Sequence, residues 1–273
     1  MADFWICPVC GAPLVLDEKG KSYGCLGRRA HCFDRAKSGY VNLCLSRPAG
    51  GDDPEMIRAR TSFLEKGYYL PIAQKVRELL EKSPRDTVLD AGCGEGYYTN
   101  YLAESMRESH FLGVDLSRSG IEAAAKQARR KDLSNVSYAV AGLFALPVAE
   151  HSLDAVISLF APCAEEEFLR TVKPGGSLIL VGAGPDHLMG LKKVLYDQPY
   201  RNAGREDLPR KMQPESEETL KYSVTIEGEE TIKALFSMTP YYYRTSREDR
   251  EKLDGRDRLD TEVEVVIHRY RIP

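Results

Sequence analysis

The sequence predicts an α/β protein: a doubly wound, mainly parallel sheet preceded by a small metal-binding module. Two observations carry that reading. From Thr87 onward, short apolar runs alternate with helical patterns, as they do where a parallel sheet is covered on both faces. Ahead of them the cysteines gather early, starting with Cys7-Pro8-Val9-Cys10. A chain of 273 residues, 42% hydrophobic and 29% charged, can bury one substantial core and carry a small second module beside it. The expected division is a metal-binding module over residues 1–46, a linker and connecting helix over 47–69, and the sheet domain over 70–273.

Composition narrows the setting. No apolar run approaches the roughly 20 residues of a membrane span. The start, Met1-Ala2-Asp3-Phe4-Trp5, lacks the basic-then-apolar order of a signal peptide. A cytoplasmic location without membrane contact is therefore expected, and in that reducing compartment the seven cysteines read as metal ligands rather than disulfides. The net charge of −3 argues against a nucleic-acid partner only as an average. Residues 1–85 hold 14 Lys+Arg against 10 Asp+Glu, a balance of +4, and the remaining 24 against 31 leave −7. Any RNA contact should lean on the N-terminal third, although ordinary surface scatter explains a surplus of four equally well.

Taking the elements in order, Cys7-Pro8-Val9-Cys10-Gly11 is a turn that aims two thiolates at one ion, with Cys25 and His31 downstream at a spacing that fits a closed tetrahedral zinc site. A redox pair would need a strand before it and a helix after it. Instead Gly11 and Pro13 stand beside the motif. His31 and Cys32 are adjacent, and either can supply the fourth ligand. So short a module buries little core, and the metal would supply much of its folding free energy in a structural role, because four protein ligands leave no open position. Arg47 to Asp53 is rich in Pro and Gly and reads as a linker. Glu55 to Lys66 then reads as a helix, with Met56, Ile57, Ala59, Phe63 and Leu64 on one side. Its Arg58, Arg60 and Lys66 are expected at solvent, as a solvated face or as a phosphate-contacting edge.

In the sheet domain, Thr87-Val88-Leu89-Asp90 is a buried strand, Ala91 to Gly96 a glycine-rich turn, and Tyr97 to Met106 a helix. Phe111 to Asp115 is the second strand, followed by a helix from Arg118 to Lys131 and strands at Val136–Val140, Ala155–Leu159 and Ser177–Val181. The turn decides the ligand. A dinucleotide loop carries G-x-G-x-x-G, whereas here Gly92, Gly94 and Gly96 alternate directly after Asp90. A carboxylate there repels a pyrophosphate and suits the ammonium of a methionine moiety. Asp115 ends the second strand, where ribose hydroxyls need an acceptor. Val172-Lys173-Pro174-Gly175-Gly176 resembles the turn before the fifth strand of class I methyltransferases. Together these signals predict a class I, Rossmann-like methyltransferase that uses S-adenosylmethionine.

Phe160-Ala161-Pro162-Cys163 should border the acceptor pocket, because ligands bind off the carboxyl ends of such strands. Cys163 is not expected to act as a nucleophile: methylation of a ring nitrogen needs no covalent intermediate, and no base adjoins it in sequence. Asp197 to Glu230 is charged and reads as a loop-rich insertion. Tyr241-Tyr242-Tyr243 reads as core packing that leads into a strand.

The chain resembles the bacterial 23S ribosomal RNA (guanine-N1)-methyltransferase family over nearly its whole length. The resemblance rests on Cys7-Pro8-Val9-Cys10, on His31-Cys32-Phe33-Asp34 followed by Ala36 to Leu43, and on Phe63 to Tyr69. It continues through Asp90 to Thr99, Ala161-Pro162-Cys163 and Gly184 to Met189. It implies Cys7, Cys10, Cys25 and His31 as zinc ligands, since the family's histidine precedes an x-Phe-Asp run as His31 does. The chain departs from the family in placing five residues between Cys25 and His31, which keeps Cys32 as an alternative. It also implies that Tyr69, Tyr98, Thr99 and His187 contact S-adenosylmethionine alongside the loop glycines, Asp90 and Asp115. Read without it, Tyr69 is a core aromatic and His187 a residue at a helix start. The implied reaction is methyl transfer to N1 of a guanine in a 23S ribosomal RNA hairpin by a homodimer whose paired modules form a cleft. N1 must lose a proton, to water or to a base that the sequence leaves open among Asp, Glu and His187. The target base must be unpaired or flipped, gripped through its phosphates and stacked on an aromatic side chain. Two rivals stand beside this reading: a small-molecule methyltransferase with the zinc module as a lid, and a noncatalytic RNA-binding protein that keeps the fold for shape.

Overall fold

The structure, a computed structural model, describes residues 4–45, 53–82 and 85–273. Residues 47–52 of the expected linker and the first three residues lie outside the described set. The chain begins with three short antiparallel strands, β1 (Leu14–Leu16), β2 (Ser22–Cys25) and β3 (Cys32–Asp34), in the order β1-β2-β3. The next strand, β4 (Val41–Asn42), leaves that small sheet and pairs in parallel with a strand of the large one.

Helix α1 (Pro54–Leu64) is started by Asp53, whose carboxylate accepts from the N–H groups of Glu55 and Met56, with Pro54 in the first turn. After α2 (Leu70–Leu80) comes the alternation read from the sequence: β5 (Thr87–Ala91), α3 (Tyr97–Ser105), β6 (His110–Asp115), α4 (Arg118–Arg130) and β7 (Val136–Val140). It continues through β8 (Leu153–Leu159), α5 (Glu165–Thr171), β9 (Val172–Ala183) and α6 (Met189–Leu195). The chain ends with β10 (Gln213–Glu227), α7 (Glu229–Ser237), a 3-10 turn over Pro240–Tyr243, α8 (Arg247–Glu251) and β11 (Arg258–Arg271).

The large sheet runs β10-β11-β9-β8-β5-β6-β7-β4, parallel from β4 to β9 and antiparallel where β11 joins β9 and β10. Strand order reverses at β5, with β6 on one side and β8 on the other, so a crevice opens above their carboxyl ends. Alternating side chains build the two layers. Val88, Phe111, Ile157 and Ile179 meet Phe63, Ile72, Leu102 and Ile121 of the helices on one face. Leu89, Leu112, Val156 and Leu178 meet Phe168 and, from the N-terminal module, Trp5 and Leu14 on the other. The module therefore completes its core on the sheet rather than alone: Trp5, 2% exposed, bridges Val148, and Ile6 N–H donates to the Pro147 carbonyl at 2.9 Å.

Two expectations need correction. The stretch expected as a loop-rich insertion contains the 15-residue strand β10 and the start of α7. On β10, Ser216, Glu218, Leu220, Tyr222 and Val224 are half-buried while Glu217, Thr219, Lys221 and Ser223 are exposed, an alternation hidden in the sequence by charges on an edge strand. The tyrosine run occupies the 3-10 turn and leads to α8, not to a strand. Pro240 opens that turn, and Tyr243 is 63% exposed.

Candidate cofactor crevice and metal centre

The metal-binding atoms are brought together by two turns. Gly11 N–H donates to the Cys7 carbonyl at 2.8 Å and closes the first. At the end of β2, Cys25 N–H donates to the His31 carbonyl at 2.9 Å, and Gly27 N–H reaches the Cys25 sulfur at 3.3 Å. The three sulfurs and the imidazole nitrogen all lie within 4.8 Å of one another. Separations are 3.4 Å for Cys7 Sγ to His31 Nδ1, 3.6 Å for Cys10 Sγ to His31 Nδ1, and 3.3 Å for Cys10 Sγ to Cys25 Sγ. A tetrahedron built on zinc bond lengths has edges of about 3.5–3.8 Å, so this donor set fits a closed, structural zinc site. The N–H of Gly27, then His31, draws the Cys25 thiol down to about 6, toward the thiolate a metal needs. A side chain at Gly27 would put Cβ 2.9 Å from Cys10 Sγ, so only glycine lets the second turn close over the sulfurs. Cys32 is exposed on β3 and stands outside the gathered set, which His31 joins.

The second group of residues gathers at the crevice. Gly92, Gly94 and Gly96 have φ of +83°, +55° and +74°. At Gly92 a Cβ would lie 2.5 Å from Ala161 Cβ, and at Gly96 2.6 Å from Ala124 Cβ, so the turn is pressed between the acceptor loop and α4. Asp115 ties the turn to β6: one carboxylate oxygen accepts from Gly94 N–H at 3.0 Å, the other from Ser117 N–H at 2.7 Å. Asp90 is buried and accepts from the Thr99 hydroxyl at 2.6 Å. Burial, only partly offset by Thr99, pushes its carboxyl up to about 7, with Asp115 and Glu95 adding to the rise. Tyr98 places a buried hydroxyl here that has no hydrogen-bond partner among the described residues, an open position for a ligand.

Tyr69, at the start of α2, and His187, just before α6, meet across this crevice with Oη to Nε2 at 3.1 Å. Glu264 N–H donates to His187 Nδ1 at 3.2 Å, so the neutral ring carries its hydrogen on Nε2 and gives it to Tyr69. Burial pushes His187 down to about 4. With both nitrogens engaged and so low a proton affinity, it is poorly suited to act as a base at neutral pH.

Some of the site was not anticipated. Arg60, expected at solvent, turns inward: its Nε lies 2.5 Å from Glu95 Oε2, and its guanidinium covers Gly94, where a Cβ would come within 2.7 Å of Nη2. The signal was present, since Met56, Arg60 and Phe63 share one face of α1 by helical spacing. The segment after α6 also matters. Arg205 Nη2 donates to the Ala161 carbonyl at 2.5 Å, and Asp207 accepts from Cys163 N–H at 2.7 Å, so a paired Arg205 and Asp207 clasp the acceptor loop. Cys163 itself is pushed up to about 11 by burial and stays a thiol at neutral pH, as its expected lack of a nucleophilic role requires.

A donor of net positive charge that carries no phosphate suits a turn ringed by Asp90, Glu95 and Asp115, and the domain is that of a class I, S-adenosylmethionine-dependent methyltransferase. Comparison with known proteins agrees: the model "Methyltransferase domain" matches residues 88–176, and "RlmA, N-terminal" matches residues 5–45. YxjB of Bacillus subtilis (strain 168), which carries the name of a 23S rRNA (guanine-N(1)-)-methyltransferase, is 31% identical over 96% of this chain and 94% of its own length. The chain belongs to the 23S rRNA (guanine-N1)-methyltransferase family of the RlmA type. The 23S rRNA (guanine(748)-N(1))-methyltransferase of Streptomyces fradiae is 32% identical over 69% of this chain and 66% of that protein. Among solved structures, a SAM-dependent methyltransferase from Aquifex aeolicus aligns with a TM-score of 0.49 at 15% identity, covering 82% of this chain and all of that one.

Proposed function

We propose that this protein transfers the methyl group of S-adenosylmethionine to N1 of one guanine in a hairpin of 23S ribosomal RNA. The observation that carries the reading is the full-length likeness to relatives named for this reaction, zinc module included. Cys7, Cys10, Cys25 and His31 hold the structural zinc. Asp90, Gly92, Gly94, Gly96, Tyr98, Thr99 and Asp115 receive the donor, with Tyr69 and His187 closing the crevice. The donor supplies an electrophilic methyl, and the chain's contribution is alignment in a water-poor pocket. Tyr69 accepts from His187 and keeps its own hydroxyl hydrogen to offer into the crevice. The guanine enters flipped, because N1 lies on its pairing edge, and its N1 proton leaves to water or a carboxylate.

Residues 1–46 form the RNA-gripping module and 70–273 the methyltransferase domain, joined through 47–69. The surplus of basic over acidic residues in the N-terminal third favours that placement. A homodimer with paired modules around the RNA, working in the cytoplasm, completes the proposal. No helix among the described residues is long and apolar enough to cross a membrane. The test is incubation with labelled donor and 23S ribosomal RNA from a methylase-deficient strain, followed by reverse-transcription stops to locate the modified guanine. Unlabelled RNA beside tight donor binding would favour a small-molecule acceptor, and calorimetry showing no donor binding at all would leave a noncatalytic RNA-binding protein.

A further inference from the structure

We propose that Phe160 is the aromatic platform on which the incoming base stacks, an assignment that rests on the RNA-methylating reading above. Phe160 caps β8 at the carboxyl edge of the sheet, beside the strand that carries the glycine-rich turn. Its backbone sits at φ +55°, a left-handed conformation that a bulky aromatic adopts rarely and that recurs at functional sites. Three features hold it there. Its N–H donates to the Val181 carbonyl at 2.9 Å, the following Ala161 packs against Gly92, and the Arg205–Asp207 clasp fixes Ala161 and Cys163.

The consequence of that backbone is a large apolar residue left 44% exposed, at a place where burial would ordinarily be favoured. The ring centroid lies 6.3 Å from Tyr69 and 5.9 Å from His187, with planes tilted by 33° and 37°, so the inner side of the ring is walled while part remains open. One aromatic in a rigid loop, beside the donor turn and open on one side, matches what a flipped purine requires: a π-face that orients the ring without reading its pairing edge. Stacking there would leave N1 free to meet the methyl group.

The test compares Phe160→Gly, Phe160→Leu and Phe160→Trp with wild type, using the hairpin transcript as acceptor. Glycine is at ease at φ +55°, so Phe160→Gly keeps the loop while removing the ring. Expected is a loss of about 10- to 100-fold in kcat/KM for RNA in the Gly and Leu variants. Donor Kd by calorimetry should stay within about twofold, and Trp should restore activity to within a few fold, since only the π-face is needed. The assignment is overturned if the Gly variant methylates RNA like wild type, if Leu serves as well as Phe, or if donor affinity falls in step with activity. Wild-type labelling of the transcript separates the two readings: without it the RNA-methylating reading itself fails, and with it only the role of Phe160 is at stake.

Discussion

At the scale of single residues, the place proposed for Asp90 in the donor site predicts that donor binding depends on pH. Its carboxyl is held at about 7 in the folded protein, well above the unfolded value near 3.8. Between those values the native state keeps a proton the unfolded chain has lost, so the ligand-free protein loses stability as pH rises through that window. A bound ammonium favours the carboxylate and releases the proton. Donor affinity should therefore climb between pH 6 and 7.5, with proton release visible as buffer-dependent heats in calorimetry, and Asp90→Asn should bind weakly with a flat profile. A wild-type affinity independent of pH over that range would remove Asp90 from the donor site. Arg60 yields a second expectation. Arg60→Met takes the guanidinium away from the buried Glu95, a loss of about 1–3 kcal/mol for a buried group that gives up one of its partners, and uncovers Gly94. Thermal unfolding should drop and donor Kd rise together. An unchanged melting temperature would mean that the pair is no more than a surface contact.

At the scale of elements, what was legible in the sequence is what repeats with a fixed period or needs a special backbone. The run from β5 to β9 was readable because buried parallel strands are continuously apolar, and the turn at Gly92, Gly94 and Gly96 because few other sequences satisfy three left-handed positions at alternate residues. β10 was not, because an edge strand alternates weakly and carries Glu215, Glu217, Glu218 and Lys221. Arg60 escaped because it looks like any solvated basic residue on a helix, and of Phe160 only its place in the loop after the fourth strand of the sheet domain was readable, since its left-handed backbone exists only in the fold. The glycine turn gives this scale its prediction. Gly92→Ala combines a left-handed φ with a Cβ placed 2.5 Å from Ala161, so it should drive the acceptor loop away from β5. A loss of about 1–3 kcal/mol in stability and a larger loss in RNA methylation than overpacking alone would cause are expected. A fully active Gly92→Ala would mean the two loops move independently.

At the scale of the whole molecule, the zinc-binding head and the sheet share one core. Leu14 of β1 and Trp5 pack with Leu112 and Val156, and β4 extends the sheet beside β7. Trp5 is the chain's single tryptophan and is almost wholly buried, so it reports on this junction alone. Stripping the metal removes the force that holds Cys7 and Cys10 to Cys25 and His31, and the small strands have too little apolar surface to stay folded without it. Chelation, or Cys7→Ser with Cys10→Ser, should therefore shift Trp5 emission to the red and abolish RNA methylation over the same range of free zinc. Donor affinity should fall much less. Among the described residues the hydrogen bonds on the donor turn come from β6 and α1, while α4, against which Gly96 packs, is the element tied to the head, through Ser38, Tyr40 and the Lys37 carbonyl. Equal loss of donor binding and methylation would show that the shared core, rather than RNA contact, is what the metal supports. Methylation lost without any change in Trp5 would place the effect of zinc away from this junction altogether.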